Sequence, residues 1–237
     1  CGCEVIIANA RQVHLISRSI KKTDANDSVL LARLARSDPD LLCPIRIRGP
    51  QTVQDRALLV ARDRLVSCRK ALVNTIRSIA KQSGLRLPSC GARYFVRHAA
   101  LEMPSWLEEL TQPVMKALDS LSAEIDEYDR RIETVAAERY PETNALRQVP
   151  GVGVLTAMAF VLAVEDPARF HRSRDVGAYL GLTPSLHESG DAQQQLRITK
   201  AGDKYVRKLL VGSAQYILGR FGPDSDLKRH GLAIAER

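Results

Sequence analysis

The chain has 237 residues, enough for two ordinary domains, each with its own core. At 45% hydrophobic and 26% charged residues it has a globular composition, and no apolar run approaches the ~20 residues of a membrane span, so the expected setting is cytoplasmic, with no membrane partner. A formal charge of +8 favours a polyanionic partner, and aromatic residues at 5% are too few for a base-stacking platform. The five cysteines (Cys1, Cys3, Cys43, Cys68 and Cys90) show no paired C-x-x-C spacing, which argues against zinc and suits reduced thiols.

Residues 4–10 (EVIIANA) read as a short buried strand, and 12–20 as ambiguous. Thr23 is a good N-cap for a helix over 24–36 that offers Val29, Leu30, Leu34 and Ala35 to one face, and Asp38-Pro39 ends it. A second short strand is expected over 43–48. Residues 51–82 form a long helical run of net charge +5, and 84–104 a loop-like break. Pro113 is expected to precede a second long helix, in which Leu118, Leu121, Ile125, Tyr128, Ile132 and Val135 make a heptad seam. That helix carries −3 over 114–139, and opposite charges suit an antiparallel coiled-coil hairpin. Further on come a buried helix over 156–164, another over 173–182, an irregular polar loop over 183–195, and a last clear helix, amphipathic and basic, over 203–218.

Four features could carry chemistry. Asp24 and Asp27 lie three apart at a helix start, a spacing that suits a divalent metal but equally compensates the helix dipole. Ser189, beside Gly190, could attack a phosphodiester, or simply belong to a turn. The run Pro150-Gly151-Val152-Gly153 is a stiff hairpin that leaves helix N–H groups free, and Gly151 and Gly153 would permit close approach of a phosphate. The alternative is a tight turn without a ligand. Arg197, Lys200, Lys204, Arg207 and Lys208 are the densest basic cluster, a phosphate track or a solvated face.

Residues 146–153 (LRQVPGVG), Arg169-Phe170, 179–184 (YLGLTP), Ser189-Gly190, 198–202 (ITKAG) and 207–210 (RKLL), in this order, closely resemble the C-terminal domain of the bridge-RNA-guided insertion-sequence transposases. Residues 22–27 (KTDAND), after the EVIIANA run, are similar to the end of that family's RuvC-like domain. The resemblance implies a mainly α chain with a small α/β remnant. Residues 1–48 would be a partial RuvC-like (RNase H-like) domain, 49–141 a coiled-coil helical hairpin, and 142–237 a C-terminal transposase domain with a helix-hairpin-helix motif.

The function implied is a recombinase that cuts and rejoins donor and target DNA. It would use a guide RNA, Mg²⁺ on a DEDD carboxylate cluster and a serine nucleophile, and would act as a dimer or tetramer. Carried over by position, Asp24 and Asp27 match the third and fourth carboxylates and Ser189 the nucleophile, with the basic helix from Asp203 near nucleic acid. Family members carry the first two acids and the opening strands upstream of Cys1, and continue beyond Arg237. The expectation is therefore an incomplete copy with little or no activity. The alternatives are a non-catalytic DNA-binding module and a helical interaction protein.

Overall fold

Thr23 lies in extended backbone, and its Oγ1 accepts a hydrogen bond from the Asn26 N–H at 3.3 Å, so helix α1 (Asp24–Ser37) starts where the cap residue dictates. It ends at Asp38, whose N–H donates to the Leu34 carbonyl and whose Oδ1 accepts from the Asp40 N–H, turning the chain into a 3-10 segment, Pro39–Leu42. The computed structural model describes residues 5–9, 13, 23–42, 44–99, 101–189 and 192–236, with the backbone alone at 186–189 and 192–195. Cys1–Gly49 and Pro50–Arg237 are two compact units.

In the first unit the Asn9 N–H donates to the Leu42 carbonyl and the Ile45 N–H to that of Ile7, but neither segment is a strand among the described residues. Val5, Ile6 and Ile7 are exposed, and Val29 of α1 is half-exposed. The strands expected over 4–10 and 43–48 are thus corrected. A Val/Ile run becomes a buried strand where neighbouring strands and a covering layer give it a surface, and the described part of this unit supplies none. Glu4, Ala10, Cys43 and, apart from Val13, the stretch 12–20 lie outside the described residues.

The second unit is built on two long helices, α2 (Pro50–Gln82) and α4 (Ser105–Arg139), joined through a segment containing the short α3 (Phe95–Ala99). Pro113 lies inside α4, not before it. Proline removes one backbone bond and crowds the carbonyl four residues back. Here both Glu109 and Pro113 face water, while Leu107, Thr111 and Met115 on the opposite side are buried, so packing holds the turn together. The break expected over 84–104 contains α3 because Phe95 and Ala99 are fully buried against Val73, Ile76, Leu107 and Leu118, which makes one core at the hairpin tip.

The two helices run antiparallel and are cross-linked at seven-residue steps along α2. The Arg139 Nη1 donates to Asp55 at 2.7 Å, Arg62 bonds both oxygens of Asp129 at 2.8 and 3.2 Å, and the Arg69 Nη1 donates to the Ser122 hydroxyl at 3.3 Å. Asp55 is 3% exposed and also accepts from the Tyr140 hydroxyl at 2.8 Å and from the Gln51 amide at 3.1 Å. Burial, together with that bond to the Asp55 carboxylate, pushes the Tyr140 hydroxyl pKa upward. Between these rungs Leu118, Ile125 and Ile132 are buried, whereas Leu121, Tyr128 and Val135 are half-buried.

Beyond Tyr140 come α5 (Thr143–Leu146), α6 (Val154–Val164), a 3-10 turn (Pro167–Arg169) and α7 (Asp175–Tyr179). They are followed by an antiparallel pair, β1 (Pro184–Ser189) and β2 (Ala192–Ile198), then α8 (Lys204–Leu218) and α9 (Asp226–Ala235). The chain is thus mainly helical, with two strands among the described residues. Helix α6 is apolar on every side and sits at the centre of a second core, where Met158, Ala159, Leu162 and Ala163 meet Leu59, Ile132, Leu180 and Val206.

Three expectations in this region are corrected. The helix expected over 173–182 stops at Tyr179, because Gly181 takes a positive φ of 67°. The polar loop expected over 183–195 is a β-hairpin, with Ser189 opposite Ala192, Glu188 opposite Gln193, and a one-residue register shift between Pro184 and Leu186. Helix α9 follows the helix taken as last. Ser225 caps it, accepting from the Lys228 N–H at 3.2 Å, and none of its residues is buried.

Removing the Asp55 carboxylate would leave Tyr140 without its acceptor, while Arg139, half-exposed, could recover water. Asp55→Ala is therefore expected to destabilise the chain by about 1–3 kcal/mol. A urea midpoint unchanged from the unsubstituted chain would show that the rung does not hold the hairpin.

Candidate nucleic-acid interface and active site

The Pro150–Gly153 turn joins α5 to α6. Gly151 has φ +83°, and a Cβ there would lie 2.7 Å from the Tyr216 ring and 3.4 Å from the Ser213 carbonyl, so this glycine lets the turn lie flat on α8. Gly153 caps α6 without a side chain and faces open space. Leading into the turn, the Val152 N–H donates to the Val149 carbonyl, and the Ala157 N–H to that of Gly153. Among the described residues no acceptor is recorded for the N–H groups of Val154, Leu155 and Thr156, the ordinary condition of a helix N-terminus and the one that suits an anion. A groove of about 630 Å³ runs along the junction of this turn with α8, with Gly153, Thr156, Lys208 and Tyr216 on its walls.

Helix α8 carries Lys204, Arg207 and Lys208 of the basic cluster, while Arg197 is in β2 and Lys200 in the turn that follows it. Arg207 is inward: its Nη1 donates to the Leu180 carbonyl at 3.0 Å and also to the Ala201 carbonyl. Those acceptors belong to two turns that cross here. A Cβ at Gly181 would overlap the Ala201 backbone, and one at Gly202 the Tyr179 carbonyl oxygen. The Lys200 N–H donates to Gly181 and the Thr199 N–H to Thr183, tying the end of β2 to the start of β1. Arg169 is also structural, its guanidinium 4.9 and 4.4 Å from the ring centres of Phe170 and Tyr179. Lys204, Lys200 and Arg197 are exposed, with no ion pair among the described residues.

Asp203 sets the angle of α8. Its Oδ1 accepts from the Tyr205 and Val206 N–H groups at 2.8 and 3.2 Å, while its other oxygen pairs with Arg56 of α2. Burial opposes its charge, but the bonds from Arg56 and from the two N–H groups prevail and hold its pKa below the ordinary carboxylate value. Two turns along α2 from Arg56, Asp63 accepts from the Lys208 Nζ at 2.6 Å. That pair is partly solvated and contributes about 1 kcal/mol or less. Burial and the Asp63 charge push the Tyr205 hydroxyl up to about 12, so it is neutral near pH 7.

The other site residues stand as follows. Ser189 is the last paired residue of β1; its side chain, like those of His187 and Glu188, and the whole of Gly190 and Asp191 lie outside the described set. Asp24 and Asp27 occupy the first turn of α1, in the first unit. Asp24 is exposed; Asp27 is half-buried, and its Oδ1 is buried without a hydrogen-bond partner among the described residues. Two carboxylates are hard oxygen donors of the kind Mg²⁺ takes, and the unpartnered oxygen fits that role. No group of three or more His, Cys, Asp and Glu side chains comes together among the described residues. No helix among them is long and apolar enough to cross a membrane.

Residues 143–229, from the first residue of α5 into α9, match the sequence model described as the Transposase IS116/IS110/IS902 family, and residues 1–84 match the DEDD transposase domain of IS110. The chain belongs to this transposase family. It is 34% identical over 224 residues to the transposase for insertion sequence element IS1111A of Coxiella burnetii, covering 91% of this chain and 60% of that protein. It is 28% identical over 227 residues to the transposase for insertion sequence element IS1328 of Yersinia enterocolitica, covering 88% and 65%. The pilin gene-inverting protein of Moraxella bovis is 25% identical over 224 residues, covering 92% and 61%. The chain thus spans about three-fifths of the length of these curated relatives.

In this family member, sequence reasoning missed Arg56 and Arg64, which α2 brings to the α8 face across a long separation in sequence. The excess positive charge of α2 was the available signal, but nothing in the sequence told which of its cations would meet α8. Asp203→Ala removes both the cap and the Arg56 pair and is expected to cost about 1–2 kcal/mol near neutral pH. Because the folded pKa is depressed, this contribution is fully present above the unfolded value of about 4 and is lost as pH falls through the folded pKa. Thermal melts of the two proteins should converge in acid, and a gap independent of pH would exclude the charged cap as its source.

Proposed function

We propose that this family member takes part in cutting and rejoining DNA during insertion-sequence transposition, with Ser189 as the nucleophile. The observation that carries this reading is one compact unit in which the matched C-terminal region brings an uncapped glycine turn and a lysine-bearing helix to a common groove. The relatives named as insertion-sequence transposases and as a gene-inverting protein support DNA rearrangement as the reaction class. A guide RNA encoded by the element would supply sequence recognition. A dimer or tetramer would bring two duplexes together, since both donor and target must be cut and exchanged.

In the proposed step the Ser189 oxygen bonds to phosphorus while the phosphorus–oxygen bond to the departing nucleoside breaks. The hydroxyl proton passes to a base or to water, and the departing oxygen takes up a proton. Attack by a deoxyribose hydroxyl on the serine ester then rejoins the strand and releases the serine. The turn at Gly153 and the cations of α8 would hold the flanking phosphates. In the first unit Asp24 and Asp27 would supply two of the oxygen ligands for Mg²⁺, and the unpartnered Asp27 oxygen supports that role. When bound, Mg²⁺ would stabilise charge on the phosphate and leaving oxygens.

A non-catalytic DNA-binding module would use the same groove, and covalent trapping separates the two readings. With the transposase bearing this sequence, its RNA and its donor DNA, Ser189→Ala should abolish the protein–DNA adduct seen after denaturation. An undiminished adduct would remove Ser189 from the mechanism.

A further inference from the structure

The face that α8 turns toward the long hairpin holds a second groove, of about 590 Å³, between α2 and α8. Arg56, Asp63 and Arg64 line it from α2, and Lys204, Tyr205 and Lys208 from α8. Lys208 lines the groove at the Pro150–Gly153 turn as well, so the two concavities meet at its side chain. The four cations here are not equivalent. Arg56 is engaged by Asp203 and Lys208 by Asp63, whereas Arg64 and Lys204 are exposed, with no ion pair among the described residues. Asp203 is needed as a helix cap. Asp63 caps nothing: it lies in the middle of α2, and its recorded side-chain partner is Lys208.

Resting on the proposed function, we propose that one strand of the bound DNA duplex continues from the Pro150–Gly153 turn over Lys208 into this groove, where Arg64 of the helical hairpin contacts a phosphate and Asp63 acts as a latch that withholds Lys208 until a phosphate displaces it. The long hairpin is then part of the DNA-binding face and not a spacer alone. The latch reduces affinity for any polyanion that does not reach Lys208, because each such encounter leaves Lys208 neutralised by its own protein. A strand that follows both grooves gains a cation that other ligands do not reach.

The two assignments predict opposite signs. Arg64→Ala removes an exposed side chain and should weaken duplex DNA binding, lowering the slope of log affinity against log salt by about 0.9, the value for one phosphate. Asp63→Asn keeps the shape of the side chain, removes its charge, and should strengthen binding several-fold while steepening the slope. Lys116→Ala, an exposed lysine of α4 outside the groove, should leave both unchanged.

Fluorescence anisotropy of the whole chain with a random-sequence DNA duplex, titrated across salt, reads all three. Unchanged affinity in both Arg64→Ala and Asp63→Asn, with the parent chain binding DNA, overturns this inference and leaves the proposed function standing. A loss in Lys116→Ala equal to that in Arg64→Ala also overturns it, since general charge would then explain the effect. Larger effects on duplex RNA than on DNA overturn the assignment of the strand to DNA. No DNA affinity in the parent chain, even at low salt, defeats both readings.

Discussion

Two backbone turns cross at Gly181 and Gly202 so closely that neither position has room for a Cβ, and the arrangement of the C-terminal region depends on that contact. One turn leads from α7 into the β-hairpin bearing Ser189, and the other leads from the hairpin into α8. Both glycines take positive φ, and Arg207 bonds a carbonyl from each side of the crossing. The hairpin and the basic helix therefore leave the core from one fixed point, and the direction of each constrains the other. A residue read from sequence as a phosphate contact thus proves to hold the scaffold that presents the remaining cations.

Positive charge is divided by function across the second unit. Arg62, Arg139 and Arg56 are satisfied by carboxylates of the same chain, and Arg207 and Arg77 by backbone carbonyls. Arginine suits those positions because its planar fork can meet two acceptors at once. On α8, Lys204 has no ion pair among the described residues and Lys208 a single weak one. Net charge alone therefore overstates what a polyanion would meet, because these arginines are already engaged within the chain.

Much of this architecture was legible in the sequence where local chemistry decides structure. Thr23 caps α1 as its side chain dictates, and the opposite net charges of the two long helices meet in the Arg62–Asp129 rung, while the Asp55–Arg139 rung runs against them. Reading failed where tertiary packing outvoted a local signal. Pro113 signals a helix start, yet burial of its neighbours carries the helix through it. The polar stretch 183–195 has too little apolar alternation to read as strands, and the turn crossing at its base sets its course. Of the candidate site, the glycine turn and the lysines of α8 are legible as features, because each lies in one short segment. Arg56 and Arg64 are not, because they join the groove through a fold contact and not through spacing.

The rungs of the hairpin also set how it can move. Sliding α2 along α4 by one heptad keeps apolar residues facing apolar residues, so the seam by itself would tolerate it. The polar rungs do not: one direction brings Asp55 beside Asp129, and the other brings Arg62 beside Arg139. Either displacement confronts like charges at the edge of a low-dielectric layer. The pair is consequently locked against ratcheting, and a push at the tip near Phe95 would arrive at the base near Tyr140 as the displacement of a stiff strut.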